Sequence, residues 1–479
     1  MAMNRRTLLT SAALAGAGAL MARSPIGARA QEQTDVIVLG AGLSGLHAAG
    51  LLEEVGKRVL VLEGRDRVGG KILTYEVNGG HGELGGQSMG AGYGRAIDAA
   101  ERNNVELYNY LPRFMNAGAP ELVLDGKVIA KDTWENSPLN PFTAPYQAAM
   151  PWDVAPRVIA EGNPLRDSGD WVEPASFKHD TSLHAFLTKQ GMTDAQIDLA
   201  YDTIVGYGTS AHDVSALMMF FVDAWNRMQQ QVAPISYGAR QGNSKITEAM
   251  AASLSSEPRL GQEVVAIEST SDGVDVRCRD GSRYSARAAI CTFPFSTLRN
   301  VHVSPVLIGA QRMAVQTLPF MKITMVVIEA KSPYWEKDGL NPSMWTDGPI
   351  GTLTALRYGE SDDEVTALTA WARGNTADYL DRLGPKATKE LVVREIEAIR
   401  PAAKGQVKAV HVHSWGLDPF SAGDWAVFAP GQVAAFVNDM AKPHGNLFFC
   451  GEHTAKVNRG MEGALESAER AVFEAIEII

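Results

Sequence analysis

Asp35-Val36-Ile37-Val38-Leu39-Gly40-Ala41-Gly42-Leu43-Ser44-Gly45 is the stretch on which the reading of this chain turns. It opens with a short apolar run that has the length and β-branching of a buried strand. The glycine turn follows at once, and Ala48, Leu52 and Val55 then fall at helical spacing on one face. A second apolar run, Val59-Leu60-Val61-Leu62, ends at Glu63. Strand, glycine turn, helix, strand and acid, in that order, form a dinucleotide-binding unit. Gly40 permits the tight turn. Gly42 lets the backbone approach a pyrophosphate, which sits beside Ser44 at the positive end of the helix. Gly45 lets helix and strand pack closely. Glu63, eighteen residues after Gly45, is placed to accept hydrogen bonds from ribose hydroxyls, and its charge disfavours a 2′-phosphate.

The residues beyond narrow the cofactor. Glu63-Gly64-Arg65-Asp66-Arg67-Val68-Gly69-Gly70-Lys71 carries a second pair of glycines with basic neighbours, a second anion-binding turn. Glu83-Leu84-Gly85-Gly86-Gln87 follows, and near the other end stand Phe449-Cys450-Gly451-Glu452-His453-Thr454 and Gly460-Met461-Glu462-Gly463-Ala464-Leu465-Glu466-Ser467. These four elements, in this order, resemble the flavin amine oxidase family. Gly242 to Leu254 looks like that family's turn and helix before the adenine strand, with Val264 meeting the adenine, and Trp415 to Gly431 looks like the segment on the substrate side of the flavin.

The resemblance implies an α/β fold of two interleaved parts. A discontinuous Rossmann-type FAD-binding domain takes residues 34–95, 232–300 and 408–479. A substrate domain, an antiparallel sheet including Ile323 to Ile328 plus a helical cap, takes 96–231 and 301–407. It further implies that Gly64, Arg65, Gly70, Lys71, Gly86, Gln87, Glu452 and Met461 face the cofactor, and that the helix entered at Gly460 points its positive end at the flavin.

Departures from the family's pattern are informative. Asp424 falls where covalent members carry the cysteine that bonds the flavin, so FAD is expected to be non-covalent. Trp425 matches the first wall of an aromatic cage, unless it is an ordinary core tryptophan; the second wall aligns with Gly460, leaving the cage half open unless that glycine serves the backbone. Lys71 replaces an arginine and keeps charge without the bidentate fork. Asn300 aligns with a lysine tied, in the family, to reaction with oxygen. Ser88 falls near the arginine with which amino-acid oxidases of this type grip the substrate carboxylate; without it a buried carboxylate lacks a partner. The expected reaction is oxidation of a small amine to an imine by hydride transfer to flavin N5, then hydrolysis to a carbonyl, with electrons passing to O2 or to a periplasmic acceptor such as a basic cytochrome c. The alternatives are an L-amino-acid oxidase, a desaturase on the same fold, and a binding protein that keeps FAD only for stability.

The remaining features bound this reading. Asn4-Arg5-Arg6-Thr7-Leu8-Leu9, a weakly apolar stretch and Ala28-Arg29-Ala30 look like a twin-arginine export signal over residues 1–30, making the mature protein periplasmic or secreted. No later segment has the apolar length to span a membrane. The formal charge is −11, and removing the signal's four arginines takes it to −15. Such a surface disfavours nucleic acid and suits a cationic substrate, a basic partner or simple solubility. Cys278, Cys291 and Cys450 fit no metal pattern, so no metal is expected. Cys278 and Cys291 flank a turn at Asp280-Gly281, which leaves a disulfide conceivable and two buried thiols favoured.

Overall fold

The strand Thr34–Leu39 buries Val36, Ile37, Val38 and Leu39 completely, as an unbroken apolar run does when both faces of a parallel sheet are covered. It pairs in parallel with Val59–Leu62 on one side and with Arg283–Cys291 on the other. Leu447–Phe449 lies parallel to the end of Arg283–Cys291. The computed structural model describes residues 34–77 and 79–479, so the expected export signal at 1–30 lies outside the described residues. The registers bring Leu39, Cys291 and Phe449 level with one another. Three carboxyl ends of parallel strands thus open on one place, where ligands bind in sheets of this kind. Val274–Cys278, Val264–Ser269 and His302–Ser304 complete this seven-stranded sheet. The helices Leu43–Glu54 and Gly460–Ile476 pack against each other over it.

A second seven-stranded sheet runs in the order 407–414, 323–330, 367–373, 352–356, 344–346, 121–124, 127–129. Its pairings are antiparallel except for Met344–Thr346 beside Glu121–Leu124. The helix Asn375–Ile399 lies on this sheet and bends at Gly384-Pro385, where the proline supplies no backbone donor. The helices Pro151–Gly162, Leu183–Lys189 and Ala216–Val232 pack together in the region expected to form the cap. The last of them is capped by Ser215, whose hydroxyl accepts from the Leu217 and Met218 amides and donates to Asp180 at 2.6 Å.

Two strands cross the expected boundaries. His302–Ser304, expected in the 301–407 segment, pairs with Val264–Ser269 in the first sheet. Val407–Ser414, expected largely with 408–479, pairs with Ile323–Ala330 in the second. The reason is general: alternation along a strand fixes which face it buries, not which neighbour it pairs with. All three cysteines are free and buried, so no disulfide joins Cys278 to Cys291. Among the described residues no helix is long and apolar enough to cross a membrane.

Candidate active site

The loops that leave the three level strand ends, at Gly40, Thr292 and Gly451, line one cavity of about 910 Å³. At one end two glycine turns face each other. Gly42 bridges Gly69, and the Gly69 amide donates to the Ala41 carbonyl at 2.8 Å. A Cβ on Gly42 would meet nothing nearer than the Gly70 Cα at 3.8 Å. This is a cradle of bare backbone at a helix start, the geometry that receives a pyrophosphate. Ser44, Gly64, Gly70, Gly86, Gln87, Val264, Glu452 and Met461, which the sequence reading places against the cofactor, line the same cavity. Gly45 does not. It supports the turn from behind, where a Cβ would lie 2.0 Å from the Gly40 carbonyl oxygen.

The charged residues of this end are largely engaged with the protein. Glu63 accepts from the Ala41 and Arg65 amides at 2.9 Å each, and each oxygen keeps a lone pair for a further donor. Arg65 donates to Asp418 at 2.6 Å and to Ser421 at 2.8 Å, pinning the 418–421 segment over the cavity. Arg67 donates to the carbonyls of Val68, Gly70 and Ile72 and so braces the second glycine turn. Lys71 lines the cavity, but its ammonium is directed to the Asp424 carbonyl and lies over the Phe320 ring at 5.6 Å. Its expected phosphate contact therefore gives way to a contact beside Asp424, because the chain folds residue 424 back onto residue 71.

The other end is aromatic. Trp425 stands 5.8 Å from Tyr207 and 6.5 Å from Trp371, centroid to centroid. Trp225 meets Tyr93 edge-on at 5.3 Å. The Arg459 guanidinium lies between the rings of Tyr207, at 5.1 Å, and Trp225, at 5.6 Å. Of these side chains only Trp425 is singled out by the sequence. Arg459 stands next to Gly460, and nothing in the spacing of the sequence there marks it. Gly460 has φ +58°, and a Cβ on it would meet the Tyr93 hydroxyl at 3.4 Å. The left-handed backbone favours glycine there, and Tyr93, just before the helix Gly94–Arg102, holds its hydroxyl beside the place a side chain at 460 would take. Asn300 and Ser88 also line the cavity, both as exposed residues.

Burial governs the titrating groups. It pushes the Asp424 carboxyl up to about 6, against the opposing charge of Lys71 and with that of Glu452. Glu452 is raised by the same cause. His453 is pushed down to about 3 by burial, its ring packed 4.4 Å from Phe295. Behind the cavity Glu83 is pushed up to about 8 by burial, although it accepts from the Asn243 amide and the Thr74 hydroxyl. Among the described residues no cluster of His, Cys, Asp and Glu is arranged to hold a metal.

A bare-backbone cradle, an acid at the end of the second strand, and a long cavity running on to an aromatic end under a helix start define an oxidoreductase that holds a flavin dinucleotide. Residues 43–476 match the family model of flavin containing amine oxidoreductases, and the chain belongs to that family. It is 27% identical over 468 residues to the flavin-dependent L-tryptophan oxidase RebO of Lentzea aerocolonigenes, covering 91% of this chain and 97% of that one. It is 26% identical over 467 residues to amine oxidase [flavin-containing] B of Mus musculus, covering 94% and 87%. The fold is shared with cyclohexylamine oxidase from Brevibacterium oxydans, with a TM-score of 0.73, 20% identity, and 93% and 99% coverage. It is likewise shared with putrescine oxidase bound to putrescine, with a TM-score of 0.72, 20% identity and the same coverage. The protein is an enzyme and its cofactor is FAD, held without a covalent bond; among the described residues no cysteine lines the cavity.

Proposed function

We propose that this enzyme oxidises a small amine to an imine, which water hydrolyses to a carbonyl compound, and that it works in the periplasm. The observation that carries the reading is the continuity of the glycine cradle with the aromatic end in a single cavity. Bound there, FAD supplies the hydride acceptor for the carbon that bears the amine. The chain supplies position and environment. The indoles of Trp425 and Trp371 offer flat apolar walls that orient the substrate and exclude water from its reacting carbon. Burial between these apolar walls disfavours an ammonium cation and so favours the neutral amine, whose lone pair drives the loss of hydride. The neighbouring solved structures, whose names are those of oxidases for putrescine and cyclohexylamine, agree with amine chemistry on this fold.

The electrons pass to oxygen or to a basic periplasmic protein such as cytochrome c. An acidic chain, at −11 overall, supports the second route through charge steering, and Asn300 in place of a lysine argues against fast reaction with oxygen. Anaerobic mixing with a panel of amines tests the reaction: bleaching of the flavin absorbance with release of ammonia or amine is expected, and no bleaching by any amine refutes it. Stopped-flow mixing of the reduced enzyme with oxygen, and separately with cytochrome c, decides the acceptor.

A further inference from the structure

Most buried or half-buried arginines of this protein have an acidic partner. Arg65 pairs with Asp418, Arg95 with Glu462 and Glu469, Arg113 with Asp362, and Arg400 with Asp338. Arg459 has none among the described residues: its guanidinium makes neither an ion pair nor a hydrogen bond, and it meets only the faces of Tyr207 and Trp225. It nevertheless lines the cavity, in the same aromatic end as Trp425 and Trp371. Burial lowers its affinity for its proton, and the Tyr93 hydroxyl is the group that opposes this. Its guanidinium nitrogens are not among the buried polar atoms that lack a partner, so they open on the cavity. Cation–π contact engages only the planar faces, and the donors of the fork are open to whatever occupies that cavity.

Resting on the reading of this site as an amine-oxidising one, we infer that Arg459 is the seat of an anionic group on the substrate, so that the enzyme takes an amine that also carries a carboxylate and an apolar or aromatic body. The fork matches a carboxylate with two parallel hydrogen bonds. The ring faces beside it suit the apolar body. This reverses the expectation drawn from Ser88. The arginine absent from the 83–88 segment is replaced by one from the start of the C-terminal helix, which reaches the same cavity from another side. Arg459 is a substrate-binding residue on this reading, and the competing occupant of its fork is the cofactor itself.

The test uses the FAD-loaded enzyme, Arg459→Gln and Arg459→Lys. The first arm needs no turnover. Phenylacetate, which has a carboxylate and a ring but no amine, is titrated against the flavin absorbance spectrum. A saturable perturbation is expected in the wild type, with Kd raised roughly 10- to 150-fold in Arg459→Gln, as for loss of a charged hydrogen bond, and partly restored in Arg459→Lys. The second arm compares phenylalanine with 2-phenylethylamine in anaerobic flavin reduction. Arg459→Gln is expected to raise KM for the amino acid by a similar factor relative to that for the amine, with kcat affected less. No perturbation by phenylacetate in the wild type, or equal binding by wild type and Arg459→Gln, overturns the proposal. Flavin content falling with Arg459→Gln in proportion to binding overturns it in favour of a cofactor contact. If phenylacetate binds through Arg459 and no amine of either kind bleaches the flavin, the anion seat stands and the amine-oxidising reading fails, so the two are separable.

Discussion

Removing the indole of Trp425 isolates the contribution of the aromatic end. The backbone there is fixed independently of the side chain. Met321 N–H donates to the Trp425 carbonyl at 2.8 Å, Asp424 N–H to the Met321 carbonyl at 2.8 Å, and Val427 N–H to the Pro319 carbonyl at 2.9 Å. The indole N–H has no partner in the protein, so its loss orphans no acceptor. What Trp425→Ala deletes is two aromatic contacts, with Tyr207 and Trp371. At about 0.5–1.5 kcal/mol each they sum to about 1–3 kcal/mol. Those two contacts exist in the free enzyme and in the transition state alike, so they set the orientation of the indole and cancel in kcat/KM. An indole face that makes a contact of similar size, about 1–3 kcal/mol, with the reacting substrate lowers kcat/KM by roughly 5- to 150-fold when it is removed. The assay is steady-state kinetics on a series of slim and bulky amines, with FAD content measured by absorbance on each preparation. FAD content is expected to stay at the wild-type level. Unchanged kcat/KM across the series refutes the wall, and loss of FAD in step with activity shows that the tryptophan serves the cofactor instead.

Three further outcomes follow from particular atoms. Gly45→Ala places a methyl 2.0 Å from the Gly40 carbonyl, backbone against backbone, so FAD content should fall sharply; Gly50→Ala, on the same helix with nothing within 4 Å, should leave FAD content intact and raise stability by about 0.5–1 kcal/mol. Gly460→Ala should cost about 1–2 kcal/mol of stability through its left-handed backbone and slow all amines alike, whereas a selective loss of bulky amines would favour the half-open cage. Glu83, pushed up to about 8 in the folded protein from an ordinary value of 4.5, keeps its proton where the unfolded chain has lost it, so its contribution to stability falls as pH rises between those values. His81 beside it is pushed down to about 4 by burial and destabilises only as pH falls below its ordinary 6.5. From pH 6.5 to 7.5, therefore, urea unfolding of the wild type should lose up to about 1.4 kcal/mol relative to Glu83→Gln, and parallel pH dependences of the two would show that Glu83 is ionised in the fold.

The sequence by itself determined the nucleotide-binding half of this protein. The strand, glycine turn and helix of residues 35–55, the acid at Glu63, the second glycine turn and the segment entering the C-terminal helix are local devices. Each meets a demand of the backbone or a phosphate with residues adjacent in the chain, and the structure brings them to one cavity. The aromatic end was decided only by the tertiary structure. Tyr207, Trp225, Trp371, Trp425 and Arg459 come from separate elements, and no spacing along the chain links them. Likewise Lys71 reads as a phosphate ligand until the fold returns Asp424 to it, and Val407–Ser414 reads as a strand without declaring its sheet. Gly460 reads as a missing side chain until its φ of +58° shows a backbone that favours glycine. A turn states its requirement in its own residues. A cavity wall and the partner of a charge are set by which distant elements pack together, and that depends on the whole core.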